Sequence, residues 1–356
     1  MYILVINPGS TSTKVAVYNE KYCLFNHSES HITQELAAFR NIMDQKSFRK
    51  RVVLGTLEIY GFRLQDIDIF VGRGGLVRHL HSGVYRINEK YIHDASVGLN
   101  GQHASNLGGI LAYELAKEAG LHKKAYTVDP VVVDEYDDIA KISGVPEITR
   151  VGAFHALNQK AVARRYAEEH AGDYDKLNLL VAHLGGGISM GVHKQGRIVD
   201  VNSALGGDGP FSPERAGRLP CLSLIEMCYS GKYSQQEMYS RLVGCGGLYA
   251  WFGTSDVRDV EAMSRNGNQQ AKMVLDAMSY QVAKEIGSCA SVLKGEVDAI
   301  IITGGIAYSS IITDFITERV SFITPNVVIY PGEDEMYALA NGVIDGLSGK
   351  REIFNY

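Results

Sequence analysis

The sequence has no excess of positive charge: 35 Lys and Arg stand against 40 Asp and Glu, a net charge of −5 at pH 7. With an isoelectric point near 6.1, it lacks the basic footprint of a nucleic-acid-binding surface. Cysteine is scarce and unpatterned. The five cysteines, at 23, 221, 228, 245 and 289, are odd in number and form no CxxC pair. Buried free thiols in a reducing compartment are therefore expected. No apolar run approaches the length needed to span a bilayer. Met1 leads straight into a strand, so no signal peptide is expected. These absences describe a cytoplasmic protein with neither membrane nor nucleic acid as partner. What the chain does have is 46% hydrophobic residues over 356 positions. That is enough for a sizeable core and, at this length, for two domains.

Residues 2–18, YILVINPGSTSTKVAVY, organise the rest. An apolar run, Ile3 to Ile6, reads as a buried strand. Asn7-Pro8-Gly9 breaks it with turn chemistry. Ser10, Thr11, Ser12 and Thr13 follow, then Lys14, and Val15-Ala16-Val17 resumes a strand. The product is a β-hairpin whose tip carries hydroxyls, backbone N–H groups and one fixed cation, a combination suited to phosphate. An ordinary polar hairpin would share the local pattern. A second copy favours phosphate: residues 179–193 read LLVAHLGGGISMGVH. With Asn7 set against His183, Gly9, Ser10 and Thr11 meet Gly185, Gly186 and Gly187. Internal similarity at half the chain length implies a duplicated domain. The first tip keeps hydroxyls and Lys14, so it suits the reacting phosphate; the glycine-only second tip suits the rest of a nucleotide.

Between the hairpins, the basic run KSFRKR (46–51) reads as a solvated helix face. The short strand 68–71 ends in Gly72-Arg73-Gly74-Gly75, which puts Arg73 at a carboxyl edge, where ligands of α/β sheets gather. An arginine there can hold a carboxylate or a phosphate, or be a surface turn residue; Arg78 and His79 are weaker candidates. His103 opens an amphipathic helix, as a capping residue or as part of a site. The strand 125–128 ends in Asp129-Pro130, a natural Mg²⁺ neighbour. A domain junction is expected near 145–151, followed by His155 ahead of a helix. The loop 200–220 is long enough to be functional and carries Asp208, Glu214, Arg215 and Arg218. A helix over 272–294 has a stripe destined for core or interface. The strand 298–303 runs into Gly304-Gly305 and a helix, a place for a nucleotide on exposed backbone. The closing helix 336–347 is expected to return to the first domain, with Glu335 at its start.

Together, NPGSTSTK, the duplicated hairpins and the Gly304-Gly305 turn resemble the acetate, propionate and butyrate kinases of the actin-like ATPase superfamily. The likeness covers nearly the whole chain. Its GRGG around Arg73 and GGDGPFSPERAGRLP around Arg218 are similar to the butyrate branch rather than the acetate branch. The resemblance implies an α/β fold: two duplicated actin-like (ribonuclease H-like) domains with a cleft between them. The first would be 1–149 completed by 336–356, the second 150–335. It implies reversible transfer of the γ-phosphoryl of ATP, with Mg²⁺, to a short-chain fatty acid such as butyrate, giving acyl phosphate and ADP, in a homodimer. Carried over by motif, Asn7, Ser10, Ser12 and Lys14 form the phosphate loop. Arg73 and Arg218 hold carboxylate and transferring phosphate. His155 supports the transition state, and His103 lies near the substrate. Asp129 and Glu335 associate with the metal. His183, Gly185, Gly186, Gly187, Gly304 and Gly305 contact the nucleotide.

The chemistry agrees. A carboxylic acid, with a pKa of about 4, is already an anionic nucleophile at neutral pH and needs no general base. What must be overcome is repulsion between two anions, and two arginines, a histidine, a lysine and Mg²⁺ supply the positive charge and positioning for that. An alcohol kinase would want an aspartate to take the hydroxyl proton. Alternatives are an acetate- or propionate-type acyl kinase, a sugar or alcohol kinase of the same superfamily, and a non-catalytic ATP-switched module.

Overall fold

The computed structural model describes residues 1–20 and 22–356. The chain divides into two compact units, Met1–Asp134 with Asp334–Tyr356, and Glu135–Glu333. In chain order the strands are β1 Tyr2–Pro8, β2 Ser12–Asn19, β3 Tyr22–Ser30, β4 Ile69–Gly72, β5 Val84–Arg86 and β6 Ala125–Val128 in the first unit. The second unit holds β7 Asn178–Leu184, β8 Ile188–Lys194, β9 Arg197–Val201, β10 Ala299–Gly304 and β11 Val327–Pro331; β12 Ile353–Asn355 returns to the first.

The sheet orders are β12-β5-β6-β4-β1-β2-β3 and β11-β10-β7-β8-β9. One pattern is present twice. β1, β2 and β3 form an antiparallel meander, with β4 and then β6 added in parallel beyond β1. β7, β8 and β9 do the same, with β10 and then β11 beyond β7. The register slip recurs too, after Val17 in β2 and after Val192 in β8. The duplication expected from the two hairpins is therefore a duplication of five-stranded topology.

The unbroken apolar runs of β1, β7 and β10 follow from burial on both faces. Along β7, Leu180 and Ala182 join a core cluster with Val274, Met278, Val282 and Ile286 of the helix Gln269–Val292. Leu179 and Val181 turn the other way, to Val162 and Tyr166 of the helix Ala156–Tyr166. The long helix thus spends its stripe on the core of its own unit.

Four expectations need correction. Glu135–Arg150 belongs to the second unit, so the boundary lies at 134/135 rather than 149/150. Glu135 accepts from Lys160 Nζ (2.7 Å) and Ile198 N (2.9 Å), and Tyr136 donates to Val201 O (2.8 Å). At the other boundary, Asp334 and Glu335 leave with the first unit. The basic run is not all solvated: Lys46 and Lys50 pair with Glu114 and Glu118 at the surface, but Arg49 is fully buried. The helix after His103 begins at Asn106, so His103 stands in the preceding turn. The cysteines are free but not buried, four being exposed and Cys289 partly so.

Candidate active site

In the first unit, β1 and β2 pair with Asn7 opposite Lys14 and Pro8 opposite Thr13. Residues 9–11 are left as the tip, closed by Gly9 N donating to Ser12 O at 2.8 Å. The parallel pairing of β1 with β4 sets Ile6 beside Gly72, and Arg73 N continues the ladder onto Ile6 O (2.9 Å). Asn7 and Arg73 are therefore neighbours by register. Glu335, buried at the start of the helix Glu335–Leu347, joins them. It accepts from Asn7 Nδ2 (2.8 Å) and pairs with the Arg73 guanidinium. Gly72 is required because the Gly108 backbone lies where a Cβ would go. Asn106, fully buried, accepts from Leu76 N (2.8 Å) and donates to Ala95 O and Gly101 O, so it fixes the loop after Arg73. His103 Nδ1 bonds the Ser105 hydroxyl at 2.9 Å.

Asp129 is held in the left-handed region at φ 39° and is 2% exposed. Its carboxylate accepts from Ser82 Oγ and Gly83 N, both at 2.8 Å, and from Arg351 Nη2 at 2.8 and 3.0 Å. Arg351 comes from the segment leading into β12 and was not foreseen from the sequence; a lone arginine in a polar tail carries no local signal. Among the described residues no group of three or more His, Cys, Asp or Glu could hold a metal ion. Mg²⁺ is commonly held by one or two carboxylates, substrate phosphates and water. That donor set fits Glu335 and Asp129, each paired with an arginine, as partners of a hydrated ion.

In the second unit, β7 and β8 pair with His183 opposite Ser189, which leaves 185–187 as the tip. His155, just before the helix Ala156–Tyr166, stacks on His183 with centroids 3.7 Å apart and planes 11° off parallel. His183 is fully buried. Its Nδ1 bonds Asn158 Oδ1 (2.7 Å) and its Nε2 bonds Glu333 Oε1 (2.9 Å). Its imidazole lies beneath His155 rather than at the surface of the tip.

A chain of hydrogen bonds leads from Tyr174 through His193, Gln159 and Ser189 to His155. Gln159 Nε2 faces both the Ser189 hydroxyl (2.8 Å) and the Ser189 carbonyl (3.3 Å). A carbonyl cannot donate, so the amide nitrogen must lie there and Gln159 Oε1 must face His193 Nε2 (3.2 Å). His193 therefore carries its proton on Nε2 and accepts at Nδ1 from Tyr174 OH (2.7 Å). Burial, with Lys160 and Arg164 nearby, lowers the His193 pKa well below its usual value and keeps it neutral, as this arrangement requires. The Ser189 hydroxyl, already accepting from Gln159, also bonds His155 Nδ1 (2.9 Å). Gly191 leaves the room that Gln159 Oε1 needs.

A cavity of about 760 Å³ opens beside the second tip, lined by Gly185, Gly186, Glu214, Asp256, Arg258, Gly305, Tyr308 and Glu333 among others. It brings together three of the glycines expected to meet a nucleotide. Gly304 sits at φ 92° against the Leu184 backbone and acts as the turn that delivers Gly305. Asp256, Arg258 and Tyr308 were missed. The turn Thr254-Ser255-Asp256 has the polar composition of a helix cap and is one: Asp256 accepts from Arg258 N at 2.9 Å. Arg218 stands on an exposed loop, 3.2 Å from Glu285 Oε1 and 3.8 Å from Asp208.

A model described as the acetokinase family matches residues 140–324. Butyrate kinase 2 of Clostridium acetobutylicum is 52% identical over 354 residues, 99% of each chain. The chain belongs to the acetokinase family. Solved structures agree on the actin-like ATPase fold. Porphyromonas gingivalis acetate kinase has a TM-score of 0.79 at 19% identity over 97% of this chain and 99% of its own. A propionate kinase from Francisella tularensis has 0.71 at 19% over 96% and 98%. For an acetokinase, ATP as phosphoryl donor and a carboxylate as acceptor follow from membership. No helix among the described residues is long and apolar enough to cross a membrane.

Proposed function

We infer that this chain is a butyrate kinase, passing the γ-phosphoryl of ATP reversibly to butyrate to give butyryl phosphate and ADP. The observation that carries this is the 52% identity, end to end, with Butyrate kinase 2. In the forward direction a carboxylate oxygen forms a bond to the γ-phosphorus as the bond to the β,γ-bridging oxygen breaks. The electron pair leaves on ADP. The nucleophile is ionised from the start, so the side chains have charge and geometry to manage rather than a proton to remove.

In this proposal Arg73 holds the butyrate carboxylate, pre-set by Asn7 and Glu335. Lys14 and the 9–11 tip, with Ser10 and the adjoining Ser12, receive the γ-phosphate. His155 offers its Nε2 proton to the equatorial oxygens, and Arg218 leaves Glu285 to add a second cation there. His183 supports His155 by stacking. The nucleotide lies along Gly185, Gly186 and Gly305, with Gly187 and Gly304 shaping the two turns. His103 closes the acid end. Mg²⁺ would be held by the nucleotide phosphates, with Glu335 and Asp129 reaching its water shell; it supplies charge neutralisation. Free cysteines support a cytoplasmic location. A homodimer through the second unit is supported by the helix Cys221–Tyr229, which has no buried residue and exposes Leu222, Ile225 and Tyr229.

Hydroxamate trapping of the acyl phosphate with a panel of C2 to C6 acids tests the reaction. Butyrate or a branched relative should give the highest kcat/KM. No product with any acid of that range would refute the assignment.

A further inference from the structure

Arg49 projects from the helix Lys46–Ile59 into the interior beneath the first hairpin tip and is fully buried. Its bonds go to neutral acceptors: Nε to Gln45 Oε1 (3.0 Å), and Nη1 to Ser12 O (2.7 Å) and Thr13 Oγ1 (3.0 Å). Nη2 has no hydrogen-bond partner among the described residues, and no carboxylate among them pairs with the guanidinium. Burial pushes its pKa down to about 10, which still leaves it a cation at neutral pH. An ion buried without a counter-charge is costly, by several kcal/mol after relaxation as an order of magnitude. A chain that keeps one has a use for it or compensates elsewhere.

Its position indicates the use. The Ser12 carbonyl accepts from both Gly9 N and Arg49, so the guanidinium clamps the bond that closes the tip. The Thr13 hydroxyl is shared between Arg49 and His31 Nε2 (2.7 Å). His31 N in turn donates to Thr11 O at 2.8 Å. Burial and the Arg49 charge lower the His31 pKa, so His31 adds no second cation. Residues 9–13, the stretch of small hydroxylated side chains, are thus held from behind by one unneutralised positive charge.

We propose that Arg49 is a positioning residue for phosphoryl transfer: it holds the tip and the adjoining Ser12 and Thr13 in the shape that receives the transferring phosphate, and that phosphate supplies the negative charge the buried guanidinium lacks. This rests on the reading of the first hairpin as the γ-phosphate loop. A residue that merely propped the hairpin would affect folding and treat ATP and ADP alike.

The test compares the full chain with its Arg49→Met and Arg49→Lys variants, by calorimetric titration with ATP and with ADP, thermal melting without ligand, and steady-state kinetics. Arg49→Met is expected to melt no lower than the parent. It should bind ATP about ten-fold more weakly with ADP affinity within about two-fold, and lose about ten-fold in kcat with KM for the acid unchanged, less than for a donor touching the phosphate. An unchanged ratio of ATP to ADP affinity overturns the proposal, as does an equal loss for both. Should Arg49→Met fail to fold, Arg49→Lys decides: it keeps the charge without the fork, and a lowered ratio supports the proposal where a parental ratio ends it. A parent that phosphorylates no C2 to C6 acid would remove the butyrate assignment, while the nucleotide ratio still judges Arg49.

Discussion

In both halves a three-residue tip joins two antiparallel strands, with Asn7 across from Lys14 in one and His183 across from Ser189 in the other. Behind the tips the halves part. The first is backed by a buried cation, Arg49, and flanked by the Asn7–Arg73–Glu335 cluster. The second is backed by a hydrogen-bonded relay from Tyr174 through a neutral His193 to His155 and flanked by an imidazole stack. Duplication preserved the strand pairing, which backbone geometry dictates. It left free the side chains behind the turn, which decide what charge a ligand meets there. One scaffold thus provides a site dominated by fixed charge and another dominated by fixed hydrogen-bond direction.

The comparison can be broken most forcefully in the first half. Arg351→Leu leaves the Asp129 carboxylate buried without its ion-pair partner and should cost about 3 kcal/mol of stability, seen as a lower urea midpoint. Arg73→Ala should lower kcat/KM for butyrate by about 10² to 10³, as loss of one preorganised donor does; unchanged kinetics would remove Arg73 from the site. In the second half Ser189→Ala cuts the relay one bond from His155. It should slow turnover by about ten-fold, as one neutral hydrogen bond of roughly 1.4 kcal/mol. Imidazole nitrogen shifts should then change at His155 Nδ1, which loses its bond to the Ser189 hydroxyl.

Acid should separate the halves further. The folded-state pKa of His193 lies well below its ordinary 6.5, so the unfolded chain takes up the proton first. The stability this histidine contributes is complete above pH 6.5 and falls as pH drops from there towards the folded value, by about 1.4 kcal/mol per unit. His31 acts in the same direction in the first half. Urea midpoints between pH 7 and 5 should show that slope, and His193→Gln should flatten it. The smallest effect is reserved for Lys46→Gln, which removes a surface pair with Glu114 and should cost less than about 1 kcal/mol. It lies one helical turn from Arg49, and the contrast between them isolates burial from charge.

β5, β9 and β12 and the Asn7–Arg73 adjacency waited on the sheet order and register, but the other strands and both tips were legible in the sequence, because apolar runs and glycine turns are local. Arg49 was not. KSFRKR shows six consecutive positions with four cations, and nothing local distinguishes the one aimed inward by the helix. Gln159 and Ser189 were equally silent: their meaning lies in a chain whose bonded partners are up to 34 residues apart. Arg351 meets Asp129 across 222 positions. Periodicity reports which face is buried, whereas neutral acceptors around a charge, or the direction of an amide, exist only after the chain has closed.

The return of residues 334–356 to the first unit has a consequence for biosynthesis. Residues 1–134 leave the ribosome about 200 residues before the helix and strand that complete them, a delay of roughly 10 to 40 s at ordinary elongation rates. Until then Asn7 and Arg73 lack Glu335, Asp129 lacks Arg351, and β5 lacks its outer neighbour. The later-made unit, contiguous in the chain, can finish first and stand as a folded neighbour while the earlier one waits for its last 23 residues.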